Sequence, residues 1–321
     1  MFLYSLNFSW KRVPLFYFKN EGISTMNLLK NTKAILLGLI LTLNAFAYLG
    51  IQDFETTRMK SLAGAGIGSF LLNEAPLLNP ASIGFMRKSS IYYQKDQDKL
   101  EDRSDQRNSD FKKANNELFI ITDTSSGLPG GVSYQYQNTA AGKRTRYSLA
   151  GTRPITKKTT IGFILNHTEE ESYLVDKSYT HLNFGLIHVI NDNLSFGLIL
   201  KDPTQVVAEY FEYGTGIHYK LNDFFSVIAD IGSGDVENYS NHSYNKVAIQ
   251  MHTMKRWYLR YGQFYNQMTN LKGYGAGISW VGPKFSIDYA QKLSEQISSK
   301  SDIIFEDETI MEYSVALTIL L

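Results

Sequence analysis

Six histidines, His167, His181, His188, His218, His242 and His252, are the residues of this chain best suited to acid–base or metal chemistry. Nucleophilic catalysis would need one of them beside a serine and an orienting polar group. None adjoins a recognisable nucleophile motif such as G-x-S-x-G, and no H-x-x-x-H pair occurs. Cysteine is absent, which removes thiolate metal sites. His181 and His188 stand seven apart on one expected strand, so they point to opposite faces and cannot share a metal. The expectation is a protein that is not an enzyme and carries neither cofactor nor metal.

A second group of polar residues comprises Arg146, His218, Asp230, Lys246, Arg260, Asp288 and Glu312. All fall on the inner face of the strands inferred below. Mixed signs in a narrow interior form ion-pair networks that brace it; a selectivity filter is the sharper alternative. The run Glu169-Glu170-Glu171 suits divalent cations bridging to lipopolysaccharide, against a plainer reading as a solvated loop.

The elements that must position these residues alternate with a period of two. Near the end of the chain Tyr313, Val315, Leu317, Ile319 and Leu321 share one face, and Glu312, Ser314, Ala316 and Thr318 share the other. Only a β-strand presents that pattern as two sides. Fourteen such segments are expected: 89–94, 117–122, 130–138, 145–152, 159–167, 179–188, 194–201, 210–219, 224–231, 244–251, 256–264, 273–281, 284–292 and 311–320. Their second face is mostly small or polar, which suits the interior of a closed barrel better than the outside of a sandwich. The connections alternate between long polar loops, such as 95–116, and tight turns, such as 220–223. One rim of a membrane barrel has turns and the other has loops. The fold class expected is therefore all-β, a transmembrane antiparallel β-barrel of about 14 strands spanning residues 89–321, in the outer membrane of a Gram-negative bacterium.

Composition agrees. The 321 residues include 21 Tyr and 19 Phe but only 7 Pro, the balance that strands and interfacial girdles use. A formal net charge of +1 gives no reason to expect a nucleic-acid partner. Residues 34–46 form an apolar run behind Lys30 and Lys33, followed by Ala45-Phe46-Ala47. That is the layout of a secretory signal, expected at 26–47; the run is too short for a permanent helix, which needs roughly twenty residues. Residues 1–25 read as the product of an upstream start codon.

Between signal and first strand, residues 48–88 are rich in Gly, Ala and Leu and read as a hatch folded into the barrel mouth. The pattern Arg58-(x)5-Gly64-Ala65-Gly66, followed by Asn79-Pro80-Ala81, resembles the hatch of FadL-like outer-membrane transporters and related PorV-type barrels. The resemblance implies a 14-stranded barrel with its hatch in the lumen. It also implies passage of a hydrophobic, long-chain fatty-acid-like molecule through that plugged barrel. Leu71, Leu72, Leu77, Leu78 and Phe85 would then line a greasy pocket, Asn79 and Pro80 would fix the sealing turn, and Gly64, Gly66 and Gly68 would let the hatch shift. The plainer reading is that the leucines pack the plug in place. The alternative function is a non-transporting scaffold, a PorV-like partner of a secretion or surface protein. Partners expected in either case are outer-membrane lipid and lipopolysaccharide.

Overall fold

The computed structural model describes residues 54–69, 77–102, 113–139, 142–172, 176–206, 211–236, 239–253, 256–296 and 308–321. The expected segments 1–25 and 26–47, and positions 48–53 and 70–76 of the expected hatch, lie outside the described residues.

Apolar residues alternating with small or polar ones give fourteen strands. They are β1 (Ser90–Asp102), β2 (Lys113–Asp123), β3 (Gly130–Thr139), β4 (Gly142–Pro154), β5 (Thr159–Ser172), β6 (Asp176–Asn191) and β7 (Leu194–Lys201). The second half is β8 (Glu212–Lys220), β9 (Phe225–Val236), β10 (Tyr239–Thr253), β11 (Trp257–Asn266), β12 (Leu271–Val281), β13 (Phe285–Gln296) and β14 (Glu308–Leu320). Each pairs antiparallel with its sequence neighbours, and β1 closes the barrel on β14 with Ser90 opposite Leu320. Closure leaves no unpaired sheet edge.

Two faces with different solvents follow from the alternation. On β14, Val315, Leu317 and Ile319 are 53, 42 and 43% exposed, whereas Ser314, Ala316 and Thr318 are buried. The same outward belt of Tyr, Phe, Leu and Ile continues through Tyr93, Phe163, Phe184, Tyr261 and Ile287. Inward positions are Ser, Thr, Gln, Asn, Gly and charged residues. An apolar exterior around a polar interior is what a lipid-embedded barrel requires.

The strands run further than the alternation reaches. The expected loop 95–116 contributes its first residues to β1, through Asp102, and its last to β2, from Lys113. The expected loop 167–179 is likewise drawn into β5 and β6. Above the hydrocarbon both faces of a hairpin are wet, so hydrogen bonding continues without an apolar face to mark it.

Inside the barrel lie residues 54–69 and 77–86. They form a short helix α1 (Thr57–Ser61), a glycine-bearing turn and a 3-10 helix, Pro80–Phe85. The main apolar core is between this hatch and the wall. Met59, Leu62, Ala65, Ile67 and Leu78 of the hatch pack on Ile199, Ile228, Tyr244 and Ala248 of the strands.

Candidate functional site: the hatch and its seat in the wall

Helix α1 starts where the Thr56 side chain accepts a hydrogen bond from the Met59 amide, 3.1 Å away. It carries Arg58 and Lys60 into the interior, and buried charges persist only when paired. Arg58 grips Asp288 of β13 with two bonds, Nε to Oδ1 at 3.1 Å and Nη2 to Oδ2 at 2.9 Å. Arg260 of β11 stands 3.7 Å from the same carboxylate. Lys60 binds Asp96 of β1 at 3.0 Å and also Glu312 of β14. Glu55 receives Lys292 of β13 at 2.7 Å. Burial pushes the Glu55 carboxyl up, but Lys292, Lys246 and Lys60 outweigh it and hold the group below its ordinary value. Burial pulls the Lys60 ammonium down, and Asp96, Glu312 and Asp98 overcome that and hold it well above the ordinary range.

The glycine turn is held differently. Gly64 and Gly66 adopt φ of 78° and 153°, backbone that side chains disfavour. The turn aims the Gly66 and Ile67 amides at Asp230 of β9, at 2.7 and 3.1 Å to Oδ2. Lys246 of β10 donates to the Gly64 carbonyl at 3.3 Å, and Ser195 of β7 donates to the Gly68 carbonyl at 2.6 Å.

Asn79 joins the two parts of the hatch to the wall. Its Nδ2 donates to the carbonyls of Ile67, Leu186 and Leu198 at 2.8, 3.2 and 3.3 Å, while its Oδ1 accepts from the Ala81 amide. Leu186 and Leu198 face each other on β6 and β7. The close approach depends on glycines in the wall. A Cβ at Gly185 would collide with Asn79 Oδ1, one at Gly162 with the Pro80–Ala81 backbone, and one at Gly197 with the Ile67 carbonyl. On the opposite wall, Gly262 and Gly275 accept Leu62 and Lys60 in the same way. Asn79→Ala would remove all three bonds and deprive the Ile67 carbonyl, which lies outside the sheet ladder, of this donor. The expected cost is about 1–3 kcal/mol, seen as faster hydrogen exchange at 77–86 with the strand amides unchanged.

Where the hatch presses on Gly185, the outer face of the wall is hollow. A cavity of about 710 Å³ opens across β6 to β10, lined by Phe184, Leu186, Leu198, Tyr213 and Ile231 and floored by the backbone of Gly185, Gly214 and Gly232. Gly185 therefore has the hollow on one side and Asn79 on the other. A cavity of about 50 Å³ lies on the lumen side, where Phe54, Leu77 and Leu78 meet Arg146, His181 and Lys246.

The expected pocket residues divide. Leu78 is buried in the hatch core, Leu77 packs beside Tyr92, and Phe85 is half-buried at the end of the 3-10 helix. Leu71 and Leu72 lie outside the described residues. Gly68 abuts the Gly216 backbone. All seven expected lumen residues point inward, and four of them, Asp230, Lys246, Asp288 and Glu312, bind the hatch. Arg260 supports Asp288, Arg146 bonds Thr168 at 2.9 Å and lies over the Phe54 ring, and His218 is buried on β8. Sequence reasoning missed Glu55, Lys60, Asp96 and Lys292; only Lys292 stood on the inner face of an expected strand, while Glu55 and Lys60 belong to the hatch and Asp96 lies past the end of the alternation.

The chain superposes on the crystal structure of the Ralstonia pickettii toluene transporter TbuX with a TM-score of 0.67 at 12% identity, covering 84% of this chain and 99% of that one. The chain has the fold of the FadL-type barrels. A monoaromatic hydrocarbon channel, CymD, aligns with a TM-score of 0.65 at 11% identity over 87% of this chain and 98% of its own. A Pseudomonas aeruginosa FadL homologue aligns at 0.58 and 12% identity, over 86% of this chain and 99% of that one. No protein-family model and no curated protein matches the sequence. The FadL-type architecture is thus shared at a level where side chains have diverged almost completely.

Proposed function

We propose that the protein is an outer-membrane conduit for small hydrophobic molecules, long-chain fatty-acid-like in character, controlled by its hatch. The observation that carries this reading is the apolar hollow in the outer wall, separated from Asn79 only by the backbone of Gly185. With the Asn79–Pro80 turn displaced and the β5–β6–β7 pairing parted at Gly185, a molecule would enter hydrocarbon there without crossing water. The apolar belt and closed ladder support placement in a membrane, and the transporters and channels that share the fold support the outer membrane. Lipid and lipopolysaccharide would be the surrounding partners.

A second reading, a PorV-like scaffold for a secretion or surface protein, is favoured by the lumen-side cavity, which is small and heavily charged among the described residues. Reconstituted liposomes separate the two. A conduit should raise uptake of a fluorescent fatty acid several-fold over protein-free liposomes, and Gly185→Val should alter that rate because its side chain displaces Asn79. Uptake equal to that of empty liposomes would sink transport, and a stoichiometric co-purifying protein would then support the scaffold.

A further inference from the structure

The two rims of the barrel treat their cations differently. On the long-loop rim, exposed or half-buried lysines stand against carboxylates: Lys95 with Glu117 at 3.7 Å, Lys143 with Glu171 at 3.9 Å, Lys272 with Glu295 at 3.6 Å and Lys201 with Glu212 at 2.8 Å. On the short-turn rim, Arg87, Lys88, Arg153, Lys157, Lys158, Arg256 and Lys284 are all exposed. Among the described residues none of these seven enters an ion pair; the pair on that rim is Lys220 with Asp223 at 2.8 Å. Asp123 is engaged by Ser89 and Ser125, which leaves Asp192 as the acid facing them. Lys88 and Lys158 reach neighbouring turns, donating to the carbonyls of Pro283 and Ile190 at 3.2 Å each.

We infer that the short-turn rim binds the anionic phospholipid headgroups of the periplasmic leaflet. The cations come from the start of β1 and from the β4–β5, β10–β11 and β12–β13 turns, so they spread over more than half of the circumference instead of marking one turn, and the arc from β6 to β9 holds Asp192 and the Lys220–Asp223 pair. A headgroup layer meets the whole circumference; a globular acidic partner would cover one side of it. Exposed apolar residues stand among them, Leu128, Ile155, Ile190, Leu221 and Phe224. Cations interleaved with apolar side chains match the boundary between phosphate and acyl chain. Turns of this length mark the periplasmic rim. The inference rests on the membrane placement and not on transport, so it survives if the liposome experiment fails.

The test uses the full chain in nanodiscs of phosphatidylcholine containing a minority of phosphatidylglycerol, with retained lipid counted by native mass spectrometry. Each cation near an anionic surface contributes about fivefold to partition. The wild type should therefore hold phosphatidylglycerol well above its bulk fraction. Arg153→Gln with Lys157→Gln and Lys158→Gln should lose much of that enrichment, while Lys95→Gln with Lys143→Gln and Lys272→Gln should keep it. Absence of enrichment in the wild type, or equal loss in both variants, overturns the inference. So does retention of an acidic protein at this rim in place of the lipid. Should the first variant fail to fold, salt decides: enrichment in the wild type must fall as ionic strength rises, and persistence at high salt overturns the assignment.

Discussion

Asp288→Ala is expected to destabilise the folded barrel by about 3–5 kcal/mol, the largest effect of any single substitution considered. The carboxylate is buried on β13 and balances two buried guanidinium groups, Arg58 from the hatch and Arg260 from β11. It also accepts from Ser279. Removing it leaves two cations in a water-poor interior, and the loss comes mainly from their stranded charge. Urea titration of refolding into detergent micelles, followed by heat-modifiable migration, measures the change. Two controls locate its origin. Asp288→Asn keeps the shape and one of the two accepting oxygens and should recover part of the loss. Arg58→Met combined with Asp288→Ala should cost less than the two single changes added together, because the orphaned hatch charge is gone. Strict additivity would mean the hatch pair is not coupled.

Leu317→Arg should cost about 2–4 kcal/mol, as a charge does near the middle of a bilayer. Leu317 sits on the outer face of β14 between Tyr93 and Ile287, its register partners on β1 and β13, and all three are exposed to the surroundings of the barrel. Leu317→Phe discriminates the environment. Lipid accommodates a larger apolar side chain with little penalty, whereas a packed protein interior would resist it by about 1–3 kcal/mol. The expected result is a large loss for arginine and a near-neutral phenylalanine. A comparable loss for both would place Leu317 in a packed contact and remove the case for lipid on that face.

The barrel was legible because each strand had to solve the same solvation problem. Leu194, Phe196, Leu198 and Leu200 against Ser195, Gly197 and Lys201 give β7 with both ends correct, since the whole strand lies within the two-solvent zone. β1 was cut short at 94 because Lys95, Asp96, Gln97 and Asp98 offer no apolar face, although the ladder continues to Asp102. The hatch was legible from Arg58 and Asn79-Pro80-Ala81, yet its attachments were not. Arg58 meets Asp288 across 230 positions and Asn79 meets the Leu198 carbonyl across 119, and period-two alternation says which way a residue faces without saying what stands opposite. The wall glycines illustrate the gap. Small residues on the second face of the strands read as suiting a barrel interior; at Gly162, Gly185 and Gly197 their task is to admit a segment about a hundred residues earlier.

That long reach bears on how the molecule is made. Residues ahead of β1 find charged partners on β13 and β14, which are synthesised after the other strands. Until the final hairpin docks against β1, Arg58 lacks Asp288 and Lys60 has Asp96 of β1 but not Glu312, so the charged contacts of the segment stay incomplete in an open sheet. Completion of the Arg58–Asp288 and Lys60–Glu312 pairs is therefore a late event in biogenesis, and these pairs report that the cylinder has closed.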